Sequence, residues 1–461
     1  RLVNTICIKI SFIMDKKTGK LLHDPVFPLL LRMSAPNTVA FLIQAIVVLA
    51  EIWFLSKLGT TSLAAIALAF PVVMLTQQMA HGALGGAVSS SIARSLGSDD
   101  VERAENLIWH SIVISSSGAL ILLVTFLLLG EYILIILGGT GELLKESLAY
   151  CLVFLSGGFL IWISGSLGAV IRGSGDMRFP ALMMIFSSGL QVFFSAGFIL
   201  GWYGFPKLGI VGAALSALIS AGFLTLMMIL KLNSKSSLVK LNFSRLSFKK
   251  DLFEDIFNVA LPASLSPFFT VGTILALTGL VGQFGESALA GYGIGSRVEF
   301  LMIPLVFGIG TAMTTMVGTN MGAKNIERSE HIGFLGGIFA GALSGFIGLV
   351  LALTPDLWIN LFASDEATYL VTKQYIQIVG ICYLFQGLGL SIYFASQGAS
   401  AMKWPIVATV VRFIVAALGG WVTINYFSLG LNGIFYSAAA GMTLFGLIIV
   451  ISLKLGAWRN F

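Results

Sequence analysis

Charge is scarce in this sequence. Asp, Glu, Lys and Arg make up 10% of its 461 residues, against 57% hydrophobic residues and a mean hydropathy of +0.95. A soluble domain carries about 25% charged residues, so a chain of this length cannot cover a water-facing surface, and a soluble fold is excluded. Cysteine is nearly absent. Cys7, Cys151 and Cys382 stand alone with no paired spacing, which excludes a disulfide framework, a zinc site and an iron–sulfur site. Histidine is as rare. His23, His81, His110 and His331 form no H-x-x-H or H-E-x-x-H spacing, so metal catalysis has no support. No paired His, paired Asp or Ser with a base appears, and no pore-loop signature, which argues against a membrane-embedded enzyme and a channel. Neither a catalytic residue, a metal nor a cofactor is expected.

What remains is long apolar runs. A spanning helix needs roughly 20 mostly apolar residues. Runs bounded by Gly, Pro or charge predict twelve spans, at about 33–56, 62–93, 107–130, 146–171, 179–202, 209–232, 256–284, 288–319, 332–354, 369–395, 405–427 and 432–456. The 52 glycines suit close helix approach in lipid. The long hydrophilic stretch 233–255 divides the spans six and six. The expected organisation is therefore a segment 1–32, an N-lobe 33–232, a linker 233–255, a C-lobe 256–456 and a tail 457–461. Met14-Asp15-Lys16-Lys17 reads as a better start than Arg1, with residues 1–13 an upstream extension or a fragment end. They are not read as a signal peptide, because no small-residue cleavage site follows their short apolar run.

Orientation follows from the basic residues. With the segment before the first span, the linker and the tail placed inside, the span-end Lys and Arg fall inside except Lys57, Lys145, Lys207 and Lys373. Both termini are expected in the cytoplasm. The net charge of +6 reads as this bias rather than as a sign of a nucleic-acid partner. The segment 238–258 interleaves Leu241, Phe243, Leu246, Phe248, Leu252, Phe253 and Ile256 with charge, and is expected to lie on the inner membrane face.

The two halves repeat one another. Gly97-Ser98-Asp99-Asp100-Val101-Glu102-Arg103-Ala104-Glu105 and Gly322-Ala323-Lys324-Asn325-Ile326-Glu327-Arg328-Ser329-Glu330 share the pattern G-x-x-x-x-E-R-x-E. Ala35-Pro36 pairs with Leu261-Pro262, Leu63-Ala64 with Leu289-Ala290, and Arg172-Gly173 with Gln397-Gly398. Leu208-Gly209 pairs with Leu429-Gly430. The fold class is thus an all-α polytopic membrane protein of about twelve transmembrane helices in two pseudo-symmetric six-helix bundles. Parallel repeats of this kind are a transporter plan. Asp99, Asp100, Glu102, Glu105, Glu327 and Glu330 flank helix starts and read as caps.

An ionisable group inside a span is functional by default. Glu51 sits among Val47, Val48, Leu49, Ile52, Trp53 and Phe54, six residues before Lys57, about 9 Å inside the outer boundary. A carboxyl so placed suits proton uptake from outside and release inside. The bland alternative is a Glu at the outer interface or paired with Lys57, although six residues is a poor fit to helical pairing. Arg297 and Glu299, two residues apart, do not share a helix face. They read as a structural pair satisfied from other helices, or as cavity lining. Gln44, Gln77, Gln78, His81 and Gln386 bond across helices or line a cavity. Arg412 could repel cations or pair with a lipid or an acid.

Read together, Pro36, Glu51 and Gly59, Ala69-Phe70-Pro71, the G-x-x-x-x-E-R-x-E turn, Arg172-Gly173-Ser174-Gly175-Asp176 and Gly293-Ile294-Gly295-Ser296-Arg297-Val298-Glu299 resemble the multidrug and toxic compound extrusion (MATE) family over residues 20–456. The resemblance implies two six-helix lobes, alternating access, and export of small amphipathic, often cationic compounds in exchange for inward H⁺ or Na⁺. It places the family's first-helix acid at Glu51. The family's neighbouring Asn is Val48 here, and its fifth-helix Asn and Asp fall at Gln191 and Ser195. One carboxylate in place of two favours H⁺ over Na⁺. The acids that the sodium-coupled branch carries in its seventh and tenth helices are missing beyond Asp255. Bending of the first helix at Pro36 is associated with proton-coupled relatives, against a static kink. The expected partners are a small-molecule substrate, H⁺ or Na⁺ and the lipid bilayer, with no nucleic acid, for a monomer in a bacterial plasma (inner) membrane. The runner-up is a lipid-linked saccharide flippase, which would call for more spans or a strongly basic cavity.

Overall fold

In lipid a backbone must satisfy its own N–H and C=O groups, and an isolated apolar run does so only as a helix. The computed structural model follows that constraint. It describes residues 18–242, 247–362 and 365–459, with the backbone alone at 300 and 301. Cys7, Met14, Lys16, Lys17, Phe243, Arg245 and Leu246 lie outside the described residues.

The chain is all-α. Its spans are α1 (Val26–Ser56), α2 (Thr60–Gly97), α3 (Val101–Ile136), α4 (Gly141–Ser156 and Gly158–Gly173), α5 (Arg178–Leu200), α6 (Ile210–Asn233), α7 (Lys250–Gly282), α8 (Glu286–Gly322), α9 (Ile326–Leu353), α10 (Glu366–Gly398), α11 (Lys403–Asn425) and α12 (Gly430–Lys454). Eleven are long and apolar enough to cross a membrane, and α4 makes a twelfth as a pair bent by 47° at Gly157. Part of α2, Gln78–Leu84, is wound as a π-helix.

The duplication extends to backbone geometry. Gly59 and Gly285 cap α2 and α8 at φ 126° and 99°. Asp99 and Lys324 take φ 61° and 60° in the next turn, and Gly175 and Ser400 take φ 83° and 58° after α4 and α10. A left-handed conformation is costly for a residue with a Cβ, so its recurrence at Asp99 and Lys324 marks a turn that both copies need. Close helix approaches recur too. A Cβ on Gly173 would meet the Ser89 carbonyl oxygen at 2.6 Å, and one on Gly398 would meet that of Thr314 at 2.5 Å.

Two compact units result. The first holds residues 1–24 and 39–260, the second 25–38 and 261–461. Two of the three boundaries fall close to a proline inside a helix, Pro36 in α1 and Pro262 in α7. The first turns of α1 pack within the second unit, where Asn37 Nδ2 donates to Thr311 Oγ1 (3.1 Å) and a Cβ on Gly308 would stand 2.7 Å from the Thr38 nitrogen. The first turns of α7 are held within the first unit. Arg94 donates to Asp255 (2.5 Å), and Arg103 donates to both Asp255 and Asp251 (3.1 Å each). The first unit's core gathers Phe54, Leu55, Tyr150, Phe154 and Ile199. The second gathers Tyr375, Tyr383, Ile434 and Phe435.

The acidic residues of the repeated turn divide their work. Asp100 and Asn325 cap α3 and α9 by accepting from the Arg103 and Arg328 amides. Glu105 and Glu330, read as caps, instead hold the segment that follows the last span of their own unit. Glu105 accepts from the Lys240 amide (3.2 Å), and Glu330 accepts two bonds from Arg459 (2.8 Å each). Part of the segment 238–258 packs on protein. Leu238, Val239, Leu252 and Ile256 are buried in the protein, and the Phe253 ring meets His110 at 4.5 Å. Phe248 on the same segment stays 57% exposed, so among the described residues protein covers only part of this apolar face.

After α12 the chain turns back and buries Trp458, which is 2% exposed and donates to Ser396 Oγ at 3.3 Å. A Cβ on Gly333 would meet its ring, so α9 is cut away to receive it. Removing a buried indole leaves a cavity. Trp458→Ala should therefore destabilise the protein by about 3 kcal/mol or more, read from unfolding in detergent. Stability equal to the parent would show that this segment is not docked.

Candidate functional site

Glu51 lies one turn from the end of α1, half-buried. On α5, Gln191 and Ser195 are four residues apart and share a face, so both reach the same oxygen. Gln191 Nε2 donates to Glu51 Oε1 at 3.0 Å and Ser195 Oγ donates to it at 2.8 Å. Lys57 does not pair with the acid. Its ammonium lies over the Trp53 ring, 5.0 Å from the centroid. Tyr150, buried on α4, is within electrostatic reach of the carboxyl. A carboxyl held by two neutral donors, with no ion-pair partner among the described residues, can exchange a proton without breaking an ion pair.

A second acid stands in the second unit. Glu299 on α8 accepts from Tyr375 Oη of α10 at 2.5 Å. Arg412 on α11 acts on it electrostatically and sits over the Phe445 ring at 5.8 Å. Tyr292 and Phe435 pack edge-on against Tyr375, at 5.4 and 5.2 Å. The structure thus places Arg412 within electrostatic reach of Glu299 and leaves Arg297 exposed on the same helix.

The remaining residues lie apart from these two clusters. Pro36 is inside α1, well before Glu51. Gln44 is half-buried on α1, and Gln386 is half-buried on α10 with its Oε1 unpartnered. Sequence reasoning missed both tyrosines. A signal was present, because Tyr150 and Tyr375 occupy one position of the repeat, each nine residues after the start of its helix. The acids they attend do not match. Leu277 stands where the first unit has Glu51, and Val73 where the second has Glu299.

Comparison with known proteins agrees with this architecture. The MatE family profile matches residues 36–196 and 262–422, once in each half. A protein of Thermotoga maritima named "Probable multidrug resistance protein NorM" is 26% identical over 94% of this chain and 93% of its own length. A "FAD transporter" of Shewanella oneidensis is 25% identical over 87% of this chain and 90% of its own length. A solved structure described as the outward-facing conformation of a multidrug resistance MATE family transporter superimposes with a TM-score of 0.88 at 25% identity, over 97% of this chain and 99% of that one.

Proposed function

This chain belongs to the MatE family, so it is a membrane transporter and not an enzyme, and from that premise we propose that it exports small amphipathic, often cationic compounds in exchange for inward H⁺, with Glu51 carrying the proton. The observation that carries the reading is the pair of donors on one Glu51 oxygen. Gln191 and Ser195 point hydrogens at the carboxyl. A Na⁺ site needs converging oxygen lone pairs, usually from more than one acid. A single acid supported by donors suits a proton. Gln191 and Ser195 are the positioning residues, Pro36 is the point where α1 bends, and alternating access is the cycle. Glu299, Gln386 and Arg412 contribute the second unit's polar lining, and Arg297 stays outside it. The basic residues at the span ends support cytoplasmic termini, and the bacterial relatives support a plasma-membrane location for a monomer.

One observation favours a second reading, in which the cargo carries an acidic group. Arg412 lies within a span, and a relative is named for FAD.

Vesicles containing the purified protein test the ion directly. With a pH gradient alone, ethidium transport should run at nearly its full rate. A Na⁺ gradient alone should give background. Transport driven by Na⁺ alone would overturn proton coupling.

A further inference from the structure

The first unit holds a second group of polar side chains that the proposed site does not use. Within α2, the π-helical segment Gln78–Leu84 carries His81. Single π-turns inside α-helices recur at functional sites, because the extra residue displaces the backbone hydrogen bonds. His81 Nδ1 lies 3.3 Å from the Gln77 carbonyl oxygen. A proton on Nδ1 satisfies that contact and leaves Nε2 as the acceptor. Nε2 points at α4, where Gly165 leaves room for it: a Cβ there would stand 3.3 Å away.

Trp162 and Ser166 flank Gly165 on the same face of α4. Trp162 is 4% exposed and its indole Nε1 has no hydrogen-bond partner. Ser166 is fully buried and its Oγ has none. A buried donor left unsatisfied costs about 1–3 kcal/mol, so two of them, one on either side of the Gly165 position that faces His81, are groups that bound water would satisfy. Arg172, buried one turn further along α4, acts on His81 electrostatically. It is the charged group facing His81 from the elements packed around it, since α2 itself offers only Arg94, far along the helix and held by Asp255.

The second unit lacks this arrangement. Its matching positions are Phe307, Gly387, Ser391 and Gln397. Ser391 is bonded to the Leu388 carbonyl, Phe307 packs on Phe394 at 4.6 Å, and α8 is α-helical throughout. The group therefore occurs only in the copy that carries Glu51. The α4 helix links the two places. Tyr150 lies beside Glu51 on its outer half, and Trp162 and Ser166 lie on its inner half beyond the Gly157 bend.

We propose that His81, Trp162 and Ser166 enclose bound water that carries the proton released by Glu51 toward the inner side of the membrane, with His81 Nε2 taking the proton from one water and returning it to another. This rests on the proton-coupled reading of Glu51. Trp162 and Ser166 are positioning residues that hold the water.

The test uses the full chain in vesicles with ethidium as cargo and trapped pyranine reporting protons. His81→Gln should slow proton and ethidium movement under a pH gradient by at least about tenfold, as expected when a proton-transfer group is lost. It should also lower the maximal rate of both fluxes while leaving the ethidium KM within about twofold, a split that a packing role would not give. Trp162→Phe should slow both fluxes by a smaller factor, and ethidium affinity in detergent should stay within about twofold in each variant. Wild-type fluxes in His81→Gln overturn the inference. If that variant does not fold, wild-type fluxes in both Trp162→Phe and Ser166→Ala overturn it instead. Glu51→Gln separates the two readings. Full transport in Glu51→Gln removes the coupling assignment itself, whereas its loss beside an unimpaired His81→Gln removes only the water path.

Discussion

Glu51→Gln should stop pH-gradient-driven export, with a fall of about 100-fold or more, in a protein that still inserts and folds. The amide is nearly the same size as the carboxyl. Its oxygen can accept the same bonds from Gln191 and Ser195 that Glu51 Oε1 accepts at 3.0 and 2.8 Å. What disappears is the ability to gain and lose a proton. Ser195→Ala should act more mildly, because it removes one donor worth about 1–2 kcal/mol and leaves the acid in place. Ethidium efflux from inverted vesicles, with melting in detergent as the folding control, measures both. Unchanged efflux in Glu51→Gln would sink the assignment, and loss of efflux with loss of the folded protein would be read from Ser195→Ala instead.

The second large effect concerns stability. Arg412→Leu should destabilise the protein by about 1–2 kcal/mol, because it removes the charge within electrostatic reach of Glu299. Tyr375 donates one hydrogen bond to the acid but carries no charge. Adding Glu299→Gln to the same chain should restore most of the loss. The four proteins form a double-mutant cycle whose coupling should exceed about 1 kcal/mol, measured by unfolding in detergent. Additive losses would mean that Arg412 and Glu299 are energetically independent and that the cation–π contact with Phe445 at 5.8 Å is what Arg412 contributes.

Much of this protein is legible in its sequence because lipid narrows the choices. Apolar runs must be helices, and turns must be built from Gly97, Asp99 and their repeats at Gly322 and Lys324. The α5 partners of Glu51 are legible through the family resemblance, whose fifth-helix Asn and Asp fall at Gln191 and Ser195. Other features left no local trace. The π-turn at His81 has no periodicity of its own, and the Gly157–Gly158 bend hides inside an apolar run. Phenol partners such as Tyr150 and Tyr375 look like any aromatic residue facing lipid until a fold brings an acid beside them. The apolar residues around Leu252 and Ile256 could be recognised as one face, but only tertiary structure decides whether protein or lipid covers it. Arg297 and Glu299 are near neighbours in sequence, yet helix geometry sends them to different surroundings.

The exchange of first turns between the two units bears on how the chain is made. Thr38 packs against Gly308, so the start of α1 waits for a partner that the ribosome delivers some 270 residues later, on the order of tens of seconds at ordinary synthesis rates. The first unit waits as well, for Asp251 and Asp255 at the start of α7. Neither half of the duplication is therefore a self-sufficient product of translation. A chain truncated after α6 would leave Arg94 and Arg103 without those carboxylates and the early turns of α1 unclaimed. Quality control in the membrane would meet both as one signal that the second half has yet to arrive.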